Sequence, residues 1–172
     1  MTEKTLVVPS LVLNYTGQFS LRDIEDVIRR YMSKTTYALI DVSHDISVQE
    51  HSKSHTLKFF FMYEPHVLEE CQMRVIVSAQ NVKPIIREIN GHSSQLLEGE
   101  LVITMRARTY SNADEHKTLK PVSYALWTLF RKFLFDAGTT EIGLEMKKYC
   151  YDLYDEIYGL LHMGEKPEGN NA

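Results

Sequence analysis

Hydrophobic residues recur at every second position through the middle of the chain, which is the spacing of a β-strand with one covered face. Four successive segments follow this pattern. Their inward-facing residues are Ala38, Ile40, Val42, Ile46 and Val48 in the first, Leu57, Phe59, Phe61 and Tyr63 in the second, Met73, Val75 and Val77 in the third, and Leu101, Ile103, Met105 and Ala107 in the fourth. Clean alternation is typical of an antiparallel sheet that is covered on one side only.

A further strand and a helix precede these four segments. The stretch Leu6–Leu13 is rich in β-forming residues, and Pro9 within it favours a sheet edge or a bulge because proline cannot donate to a ladder. We expect a turn at Gly17. Ser20, with Asp23 three residues later, predicts the capped start of a helix. The apolar positions of that helix are Leu21, Ile24, Val27, Ile28 and Tyr31.

The connections between the strands are of two kinds. Short links through Glu50–His55 and Glu64–Glu70 predict hairpins. The link from Val82 to Gly99 is longer, and we expect a short helical turn in it around Pro84–Ile89.

The end of the chain predicts two helices. The first is the apolar segment Pro121–Phe135, and the second runs from about Ile142 to Met163, with Gly138 and Gly143 interpreted as helix punctuation or close packing. One face of the second helix carries apolar residues at steps of three and four, which predicts that they are core. These residues are Met146, Cys150, Leu153, Ile157 and Leu160.

The order of elements predicts an α+β fold. An antiparallel sheet of about five strands would carry the early helix and the two C-terminal helices packed on one face. A chain of 172 residues with 44% hydrophobic residues is most simply one domain. We place that domain at residues 1–163. We expect residues 164–172 to form a flexible tail, since this segment offers nothing apolar to bury.

This element order resembles the helix-grip arrangement of the START and Bet v 1 proteins. The resemblance implies a curved sheet that encloses an apolar ligand against a long terminal helix. It supplies one alternative function, a carrier or enzyme for a small apolar ligand. The pocket would be lined by Phe59, Phe61, Tyr63, Met105 and Trp127.

Three tyrosines form a second stripe on the closing helix. Tyr151, Tyr154 and Tyr158 follow helical steps but are turned by about 100° from the core stripe. Either they pack inside the domain with their hydroxyls at its rim, or they form an exposed surface for a partner. On the second interpretation, identical patches would meet across a two-fold axis, which predicts a homodimer or larger assembly.

The outward face of the sheet is the other candidate surface. It combines basic and apolar side chains, namely Lys58, Phe60, Arg74, Arg106 and Arg108. Three interpretations remain open. In the first the bases pair with Asp41 and Asp45 across strands, in the second they bind a protein, and in the third they contact RNA through stacking and phosphate contacts. Exposed apolar neighbours favour protein over nucleic acid, and a net charge of −4 argues against general polyanion binding.

The sequence offers no catalytic, metal or cofactor signature. Glycine-rich nucleotide motifs are missing, and His51 and His55, although four residues apart, fall in a predicted hairpin loop. The group formed by His66, Glu69, Glu70 and Cys71 follows a proline and is interpreted as a turn. We therefore expect a non-catalytic subunit that binds a protein partner or itself, without a catalytic residue, a metal or a cofactor.

Localisation follows from what the chain lacks. Its two cysteines, Cys71 and Cys150, belong to no local motif, which is typical of reduced thiols. The N-terminus has no basic segment followed by an apolar run, so no secretory signal is predicted. The longest apolar stretch, Pro121–Phe135, is interrupted by two basic residues and is too short to cross a bilayer. We expect a cytoplasmic protein without membrane insertion.

Overall fold

A computed structural model describes residues 2–49, 52–66, 69–89, 92–112 and 121–162, and the side chains of 5–48, 53–65, 70–86, 95–110 and 141–162. The predicted tail, 164–172, lies outside the described residues. The elements are β1 (Thr2–Phe19), α1 (Leu21–Met32), β2 (Ala38–Gln49), β3 (Ser52–His66), β4 (Glu69–Ile89), β5 (His92–Asn112) and α2 (Pro121–His162).

The five strands form one antiparallel sheet in the order β1-β5-β4-β3-β2. Because β1 and β2 lie at opposite edges, α1 must carry the chain across one face of the sheet. The edge position of β1 agrees with Pro9, which lies where the register with β5 shifts between Val8 and Leu11. The α+β class and the five-stranded antiparallel sheet are confirmed.

The core lies between the sheet and the two helices, which share one face. The predicted inward residues of β3, β4 and β5 are buried, apart from Tyr63, which is half-buried. The helices add Ile24, Val27, Ile28 and Met32 from α1 and Met146, Cys150, Leu153, Ile157 and Leu161 from α2. Leu160, which we expected in this stripe, is only partly buried, and Leu161 takes its place.

Helix α1 begins where the sequence predicts. Ser20 is its N-cap, and the Ser20 hydroxyl accepts a hydrogen bond of 3.2 Å from the backbone N–H of Asp23. This bond satisfies one of the donors that the first turn of a helix leaves unpaired. Its apolar positions then face the sheet.

The prediction of two C-terminal helices is wrong, because α2 is one continuous helix of 42 residues. Gly138, which is interpreted above as helix punctuation or close packing, lies within this helix. Glycine lowers helix stability by about 1 kcal/mol relative to alanine, but it leaves the backbone hydrogen bond in place. Only proline would remove that bond, and residues 122–162 contain none.

The helical turn expected around Pro84–Ile89 is also wrong. Strand β4 continues through this segment and pairs with β5, for example Ile85 with Leu96. The last described pair between β3 and β4 joins Lys53 to Val82, so one edge of β4 is unpaired beyond that point. Proline is tolerated at such an edge because its missing N–H breaks no ladder bond there.

The turn expected at Gly17 is a further correction, because β1 runs on and Gly17 pairs with Gly99. On the other side of Gly99, strand β4 bulges between Gln80 and Lys83, and Asn81 adopts a positive φ of 53°. A Cβ atom on Gly99 would lie 2.8 Å from the carbonyl oxygen of Gln80. The bulge therefore needs glycine at this position.

Strand β2 departs from its predicted inward face. A register shift between Leu39 and Asp41 takes Ile40 out of phase. Val42 is half-buried, whereas Ile46 and Val48 are 54% and 74% exposed. Ala38 pairs with Met62 and therefore lies on the outer face, contrary to the prediction. Alternation correctly assigns Val42, Ile46 and Val48 to the inner face, but it does not reveal how far the helices extend over that face.

The two helices pack side by side and antiparallel. The Tyr31 hydroxyl donates a hydrogen bond of 3.4 Å to Asp152, and Arg30 lies 3.9 Å from Glu156. Helix α2 lies over β1 and β5. Arg29 of α1 lies 5.7 Å above the Phe59 ring, which places α1 over β3. None of the helices in the described part of the chain is long and apolar enough to cross a membrane.

Burial of Leu153 predicts a large loss of stability on truncation. Leu153 is fully buried, whereas Leu144 of the same helix is 62% exposed. We expect Leu153→Ala to lower the free energy of unfolding by about 2 to 5 kcal/mol, since the change leaves a cavity. Leu144→Ala should change it by less than about 0.5 kcal/mol. Urea denaturation of both variants measures the difference, and equal losses would contradict the assigned helix face.

Candidate functional site

One flank of α2 exposes apolar and aromatic side chains. We call it the tyrosine stripe, and it consists of Leu144, Tyr151, Tyr154, Tyr158 and His162. Tyr151 and Tyr158 are 45% and 47% exposed, whereas Tyr154 is half-buried against the core. The structure thus divides the three predicted tyrosines, two with exposed rings and one with an interior contact. Leu144 was not predicted, although it lies two helical turns before Tyr151.

The tyrosine stripe faces away from α1. Asp152 and Glu156, which contact α1, lie on the opposite flank of α2, and the buried stripe separates the two flanks. On the stripe side, the His162 ring lies 5.8 Å from the Tyr15 ring of β1. The stripe therefore lies beside β1, an edge strand of the sheet.

Ring contacts order the C-terminal half of this stripe. The rings of Tyr154 and Tyr158 stack at 6.2 Å, and those of Tyr158 and His162 stack at 3.9 Å. His162 Nδ1 lies 2.9 Å from the carbonyl oxygen of Tyr158. Because a carbonyl oxygen can only accept, Nδ1 is protonated and donates this hydrogen bond. Side chains held in this way lose less conformational entropy when a partner covers them.

Other tyrosines have structural roles. The Tyr37 ring lies 5.6 Å from Tyr63 and 6.0 Å from Tyr149, and burial raises the pKa of Tyr37 well above its ordinary value. The Tyr149 hydroxyl donates a 2.6 Å hydrogen bond to Glu145, and this bond, together with burial, raises the pKa of Tyr149 to about 12. These neutral rings pack the junction between β3, α1 and α2.

The outer face of the sheet brings together the five predicted basic and aromatic residues. We call it the arginine face, and it consists of Lys58, Phe60, Arg74, Arg106 and Arg108. Register pairs Arg74 with Arg106 on one side and with Phe60 on the other. Each of the five residues alternates along its strand with buried residues of β3, β4 or β5. All five therefore lie on the side of the sheet away from the helices.

Part of the arginine face forms cross-strand pairs, which is the first of the three interpretations given above. Lys58 Nζ lies 2.6 Å from Asp45 of β2, and this hydrogen-bonded charge lowers the pKa of Asp45. Arg74 is also partnered, since its guanidinium lies 5.2 Å from the centre of the Phe60 ring. These contacts account for Lys58 and Phe60 without a partner molecule.

Cross-strand ion pairs do not account for Arg74, Arg106 and Arg108. Arg74 and Arg106 lie directly opposite each other, and like charges in this arrangement destabilise a sheet. Among the described side chains, no carboxylate lies within ion-pair distance of Arg74, Arg106 or Arg108. The Nε of Arg108 is buried and has no hydrogen-bond acceptor in the described structure. Burying a donor without an acceptor usually lowers the free energy of unfolding by about 1 to 3 kcal/mol.

Exposed apolar residues border the arginine face. Leu6 pairs with Arg108 and is 50% exposed, and Val12 pairs with Thr104 and is 44% exposed. Both lie on the outer face of the edge strand β1. The sequence analysis did not single them out, because the bulge at Pro9 hides their common phase.

A histidine pair lies on the helix side of the sheet. His44 Nε2 and His55 Nδ1 are 3.1 Å apart. His55 lies within β3 rather than in the predicted loop, because the strand already begins at Ser52. Its Nε2 is buried without a partner in the described structure, and burial lowers the pKa of His55. The described residues hold no group of three metal-binding side chains.

The two cysteines lie in the core. Cys71 and Cys150 are not joined in a disulfide, and both are buried on the helix side of the sheet. Burial raises the pKa of Cys150 to about 12, so this thiol stays protonated near neutral pH. The predicted turn beside Cys71 is shorter than expected, since β3 and β4 pair as far as His66 and Glu69.

The residues of the helix-grip alternative contribute to the core. Phe59, Phe61 and Met105 are fully buried, and the rings of Phe59 and Phe61 stack at 6.3 Å. Tyr63 is half-buried, and the side chain of Trp127 lies outside the described side chains.

Comparisons with known proteins do not assign the chain. It matches no protein-family model, no curated protein and no solved structure.

The lowered pKa of His55 predicts that stability depends on pH. The unfolded chain binds a proton to His55 more strongly than the folded chain does. This contribution to stability is therefore complete above the unfolded pKa of about 6.5 and is lost as the pH falls through the lowered pKa. We expect His55→Gln to flatten the fall in the free energy of unfolding between about pH 7 and about pH 5. Urea titrations at several pH values, with His162→Gln as the control, measure this slope. An unchanged slope in His55→Gln would contradict the assignment.

The opposed arginines predict a variant that is more stable than the natural protein. Arg106→Glu places a carboxylate opposite Arg74, which should raise the free energy of unfolding by about 0.2 to 1 kcal/mol. Lys34→Glu makes the same change in net charge in the exposed turn after α1 and should not produce this gain. Urea denaturation of both variants provides the comparison. A clear loss of stability in Arg106→Glu would show that Arg106 supports the fold.

Proposed function

We propose that the protein is a non-catalytic interaction or assembly subunit. Its arginine face would bind an acidic segment of a partner protein, and its tyrosine stripe would form a second protein contact. The single observation that carries the proposal is the directly opposed pair of Arg74 and Arg106, which has no carboxylate partner among the described residues.

An acidic partner would relieve the repulsion between Arg74 and Arg106 that remains in the folded chain. A carboxylate between Arg74 and Arg106 would accept charge-assisted hydrogen bonds from both guanidinium groups and relieve their repulsion. Sites of this kind give specificity, because like-charged competitors are rejected.

The surroundings of the arginines favour a protein. Leu6 and Val12 expose apolar surface at the β1 edge of the same face. Arginine and aromatic residues are enriched where protein interfaces concentrate their binding energy. A partner segment that carries acidic and apolar side chains in alternation would complement both parts of this surface.

RNA binding fits the geometry less well. Stacking on a base requires a free ring, but the Arg74 guanidinium already covers one side of Phe60 at 5.2 Å. Lys58 is engaged with Asp45, so one of the bases available for phosphate is already neutralised. The net charge of −4 also opposes long-range attraction of a polyanion.

Binding to the arginine face can be tested with Arg106→Glu. We expect proteins captured and cross-linked by the natural chain in its own cells to be recovered about 10-fold less by this variant, a loss of about 1.4 kcal/mol. Lys34→Glu, with the same net charge, should recover them normally. Quantitative mass spectrometry with mapped cross-links measures recovery and shows whether acidic segments lie at the arginine face.

Two results would contradict this proposal. The first is recovery of every partner by Arg106→Glu at the natural level, which would give the face only a structural role. The second is capture of nucleic acid, with an affinity that falls steeply as salt increases, which is the behaviour expected of phosphate contacts.

A further inference from the structure

We propose that α2 pairs with α2 of a second copy of this chain, antiparallel and about a two-fold axis at Tyr151. The inference deepens the proposed assembly function, because it names the partner of the tyrosine stripe. It does not depend on the arginine face, which lies on the other side of the sheet.

The charges beside the tyrosine stripe are placed symmetrically around Tyr151. Lys147 lies four residues before it and Asp155 lies four residues after it. All three side chains are exposed, and four-residue steps bring them onto neighbouring positions of one flank. Neither Lys147 nor Asp155 forms an ion pair within the described part of the chain.

An antiparallel pair matches these charges to each other. When two copies meet at Tyr151, a residue four positions before it faces the residue four positions after it in the other copy. Lys147 then faces Asp155 of the second copy, and symmetry repeats the pair on the other side of the axis. A parallel pair in register would instead bring Lys147 against Lys147 and Asp155 against Asp155.

The apolar residues match in the same register. Leu144 lies seven residues before Tyr151, and Tyr158 lies seven residues after it. In the antiparallel pair these two exposed side chains face each other across the axis, and the two Tyr151 rings meet at its centre. The antiparallel pair about Tyr151 therefore matches both the charges and the apolar side chains of the two helices. This match identifies a second copy of the chain as the partner.

The position of α2 leaves room for this contact. The stripe faces away from α1 and lies beside the edge strand β1. Because α2 lies over β1 and β5, two copies with adjacent β1 edges would hold their α2 helices about two strand spacings, or roughly 9.6 Å, apart. Helices in contact are usually about 8 to 10 Å apart. Pro9 and the shifted register near it interrupt the β1 edge, so the helices would provide most of the contact.

Charge exchange tests the register directly. Lys147→Asp and Asp155→Lys each place like charges opposite each other twice per dimer, and each should weaken self-association about 10-fold. The double variant should restore the natural affinity. An equimolar mixture of the two single variants should form heterodimers, since every facing pair is then opposite in charge. Sedimentation velocity over a range of concentrations measures all four samples, and Lys34→Asp controls for the change in net charge of Lys147→Asp.

Cross-linking tests the position of the axis. Tyr151→Cys should form a disulfide with its own copy under mild oxidation, because the two residues meet at the axis. Leu144→Cys should not, since it would lie about 21 Å along the helix from its counterpart. The natural cysteines, Cys71 and Cys150, are buried and should not contribute. The substituted residues are exposed, and urea denaturation checks that each variant folds.

The proposal is overturned if the natural chain remains a monomer at every concentration, if the double variant fails to regain the affinity lost by the single variants, or if Leu144→Cys cross-links as readily as Tyr151→Cys. These results would leave the proposed binding of an acidic protein standing, because Arg106→Glu tests that function separately. Loss of partners in Arg106→Glu with normal dimerisation would likewise leave the α2 pairing intact.

Discussion

The rest of the structure depends on burial of one face of the sheet. Strands β3, β4 and β5 present alternating apolar side chains that α1 and α2 cover, and the central residues of this layer are fully buried. The hydrophobic effect fixes the phase of each strand, because a shift of one residue would turn its apolar side chains to water. It fixes the rotation of α2 in the same way, through Met146, Leu153 and Ile157. Every exposed surface is positioned by this constraint.

Rotation of α2 determines what the tyrosine stripe can contact. Once the apolar face of the helix lies on β1 and β5, one flank packs against α1 through Asp152 and Glu156, and the other turns away from the domain. Tyr151 and Tyr158 lie on the second flank and retain nearly half of their exposure, whereas Tyr154 turns partly inward. The division among three similarly spaced tyrosines is thus a consequence of core packing.

The arginine face shows how the same sheet separates stability from binding. Lys58 and Asp45 stabilise the edge of the sheet across strands, while Arg74 and Arg106 oppose each other. The buried Nε of Arg108 has no acceptor among the residues that the structure describes. Repulsion across the strands lowers the free energy of unfolding locally. Burial of the apolar side chains on the opposite face of the same strands can offset this loss. Surfaces that carry such unrelieved charge are suited to a partner that supplies the missing counter-charge.

The sequence by itself determined the α+β class, the start of α1 and the inward face of the three central strands. Periods of two and of three to four residues follow from backbone geometry, so the start of α1 at Ser20 and the core phases of β3, β4, β5 and α2 could be read directly. Burial depth, continuity and neighbours depend on contacts between distant segments. Only the tertiary structure therefore decided that Ile46 and Val48 lie uncovered, that α2 continues through Gly138, and that Arg74 opposes Arg106, because strand register and helix coverage are set by packing across the whole sheet.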